Sequence, residues 1–200
     1  ARKDHMSVRM TGQRVEPGRR PVSLQPSYLY LAWGVAWLVG LGVMWLDVRN
    51  QHPYRGPAAV SFAVLGMLLA AAIALTVITM IPIARRMGGD AERRGQLYGV
   101  SWPVAYLTMF FIFGALGAHG ASPETMGLVG AGVPMLLTAV LYVSGGAVWL
   151  DRTMFVTGCW LALVTAVGVW TGLVGVLLVE AVAGGGGFLL VGGYLAGQQR

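Results

Sequence analysis

The 200-residue chain carries eight acidic residues, and seven of them stand in gaps between apolar runs or in the N-terminal arm. The eighth, Glu180, sits about seven residues inside the run Leu173 to Ala196. In a helix crossing a bilayer this is roughly 10 Å deep, at 1.5 Å per residue. A carboxyl so placed can bind a proton, coordinate a cation or anchor a polar group of a ligand. Holding it charged at mid-bilayer costs ~2.5–3.5 kcal/mol on insertion scales, so it is expected to face a bundle interior, or to be protonated, or both. Positions 180, 184 and 187 share a helix face, which seats the carboxyl beside two glycines and against a close neighbour or a small cavity. The plainer reading is a structural acid bonded to a nearby Thr, Tyr or backbone carbonyl. Tyr106, Thr157 and Thr165 are the polar side chains whose convergence on Glu180 would favour a pathway.

Little else in the chain is suited to chemistry. His52, His119 and Glu124 fall in gaps on one predicted side, but no paired ligand spacing accompanies them, so no metal is expected. Cys159 is the only cysteine and has no internal disulfide partner. Asp47, Arg49, Asp151 and Arg152 stand at run ends, where helix anchoring and snorkelling explain them. No Ser-His-Asp arrangement, phosphate-binding glycine loop, His-Glu-x-x-His or Cys-x-x-Cys motif occurs. The expectation is therefore a protein that is not an enzyme and holds no cofactor.

Six hydrophobic runs must position Glu180, each close to the ~20 residues that span a ~30 Å hydrocarbon core. They are about 28–46, 58–84, 97–118, 126–150, 153–170 and 173–196. The division between the last two rests on Thr171-Gly172 alone. The chain is 56% hydrophobic and 11% charged, against about 25% charged in a typical soluble domain. This predicts an all-α membrane protein: a 27-residue basic, proline-containing arm, a six-helix transmembrane domain over 28–196, and a short tail over 197–200. The first run begins at residue 28 and reads as an uncleaved signal anchor.

Orientation follows from the basic residues. Assigned to alternate sides, they number twelve on the side of the arm and tail and two, Arg49 and Arg55, on the other. Short Lys/Arg-rich loops stay cytoplasmic, so both termini are expected inside. The net charge of +6 sits in the arm and the third gap, where anionic lipid is the nearer counter-charge, and nucleic acid is not an expected partner. Arg9, Arg14, Arg19 and Arg20 of the arm, with Arg85, Arg86, Arg93 and Arg94 of the loop 85–96, are candidate contacts for lipid or a partner.

Tyr28, Tyr30, Tyr98, Trp102, Trp149 and Tyr194 fall at predicted cytoplasmic interfaces, and Trp45 and Trp170 at the outer one. Trp33, Trp37 and Trp160 lie deeper and are expected to pack between helices. Pro134 should kink the fourth span. The 30 glycines suit close helix approach. Candidate packing positions are Gly168 and Gly172, Gly193 and Gly197, and the run Gly184, Gly185, Gly186, Gly187, which could instead unwind. Gly42-Val-Met-Trp-Leu-Asp47 and Gly146-Ala-Val-Trp-Leu-Asp151 match at four of six positions. They suggest a faint three-plus-three inverted repeat of the sort found in transporters.

The stretches Trp149–Trp160, Ala183–Leu189 and Tyr30-Leu-Ala-Trp-Gly34 resemble multi-span membrane proteins of high-GC actinobacteria. The resemblance implies a six-span protein of the bacterial inner membrane and supplies no catalytic or binding residue. Two functions are expected to compete. One is an accessory subunit, packed against another membrane protein or a homo-oligomer. The other is a small transporter, or an ABC-2-type permease served by a cytosolic ATPase, with Glu180 in or near its pathway. The shortage of polar residues in the spans favours the first.

Overall fold

A computed structural model describes residues 26–198. The arm positions Arg9, Arg14, Arg19 and Arg20 lie outside the described residues. Within them the chain is helical throughout: α1 Ser27–Val48, α2 Ala59–Met87, α3 Gly89–Ala118, α4 Pro123–Trp149, α5 Arg152–Trp170, α6 Gly172–Val179, a π-helical turn Glu180–Gly185, and α7 Gly186–Gln198. The last three run on as one rod, and among the described residues six helical rods are long and apolar enough to cross a membrane. It is a polytopic membrane protein.

The boundaries follow local chemistry. Asp47, at the end of α1, accepts the Ala58 backbone N–H at 2.6 Å and the Ser61 hydroxyl at 2.8 Å, which fixes where α2 begins. Asp151 does the same for α5, accepting the Met154 N–H at 3.0 Å. Ser122 caps α4 by accepting the Thr125 N–H at 3.2 Å. A side-chain oxygen at these places satisfies one of the amide groups that a helix start leaves without a partner.

One expected loop is not a loop. Residues 85–96 extend α2 and begin α3, with only Gly88 between them at φ 65°. A positive φ is cheap for glycine and makes the sharp reversal. Arg85 and Arg86 then end α2, while Asp90 and Glu92 open α3, so each charge complements the dipole of its own helix end. Gly172, at φ 80°, makes the corresponding turn between α5 and α6.

Neighbouring helices run antiparallel. α1, α4, α5 and the α6–α7 rod form an inner bundle, with α2 laid on α1 and α3 on α4. Only 6% of the most apolar stretch of α2, and 6% of that of α3, is buried. The figure is 44% for α1 and 39% for α4, α5 and the α6–α7 rod. The inner seams close at glycines. A Cβ on Gly158 would stand 2.6 Å from Val143 N, and one on Gly146 2.5 Å from Phe155 N, so α4 and α5 meet backbone to backbone. The α1–α7 seam repeats this at Gly34 and Gly192.

At the end where α1 begins, rings from four helices fill the bundle. Tyr142 meets Phe188 at 5.3 Å, Trp102 at 6.0 Å and Tyr30 at 6.1 Å, all edge-on. Tyr98 and Trp102, expected in an interfacial belt, belong to this cluster, and the Tyr98 hydroxyl donates to Leu141 O at 2.8 Å. Packing against the inner bundle outcompetes the headgroup position, because these rings meet Tyr142 of α4 and Trp33 of α1. Exposed Tyr28, Tyr194 and Trp170 remain at helix ends.

Candidate functional site

Glu180 opens the π-helical turn, eight residues beyond Gly172, about 12 Å along the rod. Its side chain is fully buried, at 0% exposure. The turn packs against α1 and α5, with Ala181, Gly184 and Gly185 also buried. A π-turn accommodates one extra residue and is frequent at functional sites. Here Ala181-Val-Ala-Gly-Gly185 supplies the small side chains that let the widened turn lie flat on its neighbours.

Those neighbours are close. A Cβ on Gly184 would stand 2.9 Å from Met135 Cε, and one on Gly185 2.5 Å from the backbone N of Leu38. Gly186 has open space around it, and Gly187 lies under the indole of Trp160. The run 184–187 therefore does not unwind, and three of its four glycines face neighbours. Gly168 approaches Val176 and Val179 of α6. Gly172 is the turn residue, so Gly168 and Gly172 do not form one helix-packing pair. Gly193 and Gly197 meet nothing within 4 Å among the described residues.

The polar surroundings of Glu180 are sparse. The Thr165 hydroxyl on α5 is the polar neighbour of the carboxyl. The two stand outside hydrogen-bond geometry: both carboxyl oxygens and Thr165 Oγ1 are buried with no partner meeting that geometry among the described residues. The same holds for Trp37 Nε1, a group that sequence reasoning placed between helices without anticipating a buried orphan donor. No Lys or Arg occurs in the interior of any span.

Of the three side chains considered for convergence, only Thr165 reaches Glu180. Tyr106 instead bonds Pro134 O at 3.0 Å and Thr138 Oγ1 at 2.7 Å, tying α3 to α4. Thr157 donates to Thr153 O within its own helix. Trp160 is 45% exposed rather than interior, and its indole donates to Ala183 O in the π-turn at 2.9 Å. A shallow apolar notch of about 430 Å³ opens beside it, lined by Trp160, Val182, Gly186 and Leu190 among others. The π-turn and its indole strap were not legible beforehand. The one sequence signal was a glycine run bordering an acid.

His52, His119 and Glu124 lie at or beside the α1–α2 and α3–α4 connections, and no group of three metal-ligating side chains forms among the described residues. Tyr54, in the α1–α2 connection, folds its hydroxyl over Gly127 of α4. Burial pushes its phenol up from the usual value, and the Glu124 carboxylate adds to this. No protein-family profile, curated protein or solved structure matches the chain.

Proposed function

We propose that the chain is an accessory subunit of the bacterial cytoplasmic membrane, with both termini inside, which packs against another membrane protein through α2 and α3. The near-complete exposure of these two spans carries the reading. Each is held to the inner bundle by a single stripe. For α2 this is Ser61, Leu65, Leu69, Ala72 and Thr76, the last accepting from the Trp33 indole at 3.0 Å.

The remainder of α2 exposes Ala63, Gly66, Ala70 and Ala74 along one face. Lipid alone gains nothing from small residues, and each glycine costs a helix about 1 kcal/mol relative to alanine. A neighbouring transmembrane helix does gain, because small residues let the backbones approach. Gly66, Gly99, Gly114 and Gly117 all have open space around them. At the turn joining the two helices, exposed Arg85, Arg86, Arg93 and Arg94 offer a second contact, to anionic lipid or to a cytosolic subunit. The twelve-to-two distribution of basic residues supports the inward orientation. The matching roles of Asp47 and Asp151 support the inverted repeat.

The test is a pair of bulky changes on this face, Gly66→Leu and Ala70→Leu. Among the described residues nothing outside the helix's own backbone stands within 4 Å of a Cβ at Gly66, so the protein should fold and insert as before. Association with its partner should be lost. Unchanged association in both variants would remove α2 as the docking face. The transporter reading keeps one supporting observation, the buried Glu180.

A further inference from the structure

We propose that Glu180 is a proton-binding site and that the π-turn is its switch. In the arrangement described here the carboxyl holds a proton inside the bundle, and release of that proton to water turns α6 and carries Glu180 out of its place. The proposal stands independently of the docking reading.

Three observations combine. First, Glu180 is fully buried, and among the described residues neither of its oxygens has a partner in hydrogen-bond geometry, the Thr165 hydroxyl being its polar neighbour. An ionised carboxylate there would be an uncompensated charge, which a protein interior does not tolerate. Second, no element packed on the turn brings a cation to it. From α1 the titratable groups are Tyr28, exposed, Tyr30, within the aromatic cluster, and Asp47, bonded to Ala58 and Ser61 at the far helix end. α4, which packs on α6, carries Glu124 in its first turn and Tyr142 in the same aromatic cluster. α5 has Arg152 at its first position and Cys159 exposed. α7 has Tyr194, exposed.

Third, two backbone irregularities bound α6. α6 opens on a positive-φ glycine, Gly172, and its seven further residues run to the π-turn. Closing a π-turn to α geometry removes its extra residue and turns one flanking helix by about 100°. α7 is fixed on α1 by the contacts of Gly34 and Gly192, and the last residue of the π-turn by that of Gly185, so the turning falls to α6, against its packing on α5, α1 and α4. Glu180 would then leave Thr165, and the buried Val176 and Leu177 would move from their present contacts.

The experiment is infrared difference spectroscopy of the full chain in lipid vesicles, titrated with pH in H2O and D2O, on wild type and Glu180→Gln. The expected result is a neutral-carboxyl C=O band, absent from Glu180→Gln, that shifts in D2O and disappears as pH rises. A second arm measures maleimide labelling of Leu177→Cys in a chain whose exposed Cys159 is replaced by alanine, which should increase across the same pH interval and stay flat when combined with Glu180→Gln. Should Glu180→Gln fail to fold, Thr165→Val keeps the acid and should shift its band. A band that neither exchanges nor titrates makes Glu180 a sealed structural acid and overturns the proposal. So does labelling that ignores pH, and so does loss of the band on adding sodium at constant pH, which would make the ligand a metal cation.

Discussion

Substituting Gly185 by alanine tests the contact on which the π-turn rests. The new Cβ would stand 2.5 Å from Leu38 N and 2.9 Å from Leu38 Cα. Ordinary contact begins near 3.4 Å, so α1 and the turn must part by 3.4 − 2.5 = 0.9 Å. The obstacle is helix backbone, which cannot swing aside as a side chain does. Gly34 and Gly192 lie on the same seam, so parting it loosens their contacts too. Overpacking of this kind costs about 1–3 kcal/mol, and we take about 3 kcal/mol because the seam moves as a unit. Alanine returns about 1 kcal/mol of helix propensity, leaving a net loss of about 2 kcal/mol. Gly186→Ala is the internal control: its Cβ meets nothing within 4 Å, and its backbone is already α-helical. That variant should gain about 1 kcal/mol. The two neighbours should therefore differ by about 3 kcal/mol, roughly a hundredfold in the folded-to-unfolded ratio. Reversible unfolding in mixed micelles reads this directly. Equal stability of the two variants would refute a backbone contact between α1 and the turn.

Two further perturbations follow from single residues. Tyr106→Phe removes the hydroxyl that joins α3 to Pro134 and Thr138; unfolding in micelles should show a loss of about 0.6–1.7 kcal/mol, from the average to the largest value for interhelical hydrogen bonds in membranes. Tyr54 has its phenol pushed above the ordinary value of 10.0 by burial and then by Glu124. Its contribution is fully present below pH 10.0 and is lost as pH climbs through the raised folded value, so Tyr54→Phe should flatten the alkaline limb of a stability–pH profile.

The spans were legible because a crossing needs about twenty apolar residues and each gap is marked by charge, proline or glycine. Even Thr171-Gly172, a faint mark, proved to be a true reversal, since only glycine adopts its φ cheaply. Residues 85–96 misled because charge and glycine signal a loop in general, yet here the charges suit two helix ends and Gly88 and Gly89, both at positive φ, make the turn. Tyr98 and Trp102 misled because sequence gives the depth of a ring but not the side of the helix that finds a neighbour. Glu180 stood out as an acid in an apolar run. Its π-turn did not, because one inserted residue leaves composition and periodicity almost unchanged over so short a stretch. The bare faces of α2 and α3 were also hidden, because in a membrane every span is apolar all round and only the tertiary arrangement shows which are peripheral.

The accessory role is tested most directly by the mass of the intact, gently solubilised complex. The account predicts a second membrane protein in fixed stoichiometry, absent when Gly66→Leu replaces the wild-type chain. A single species of this chain alone, unchanged by that substitution, would contradict it.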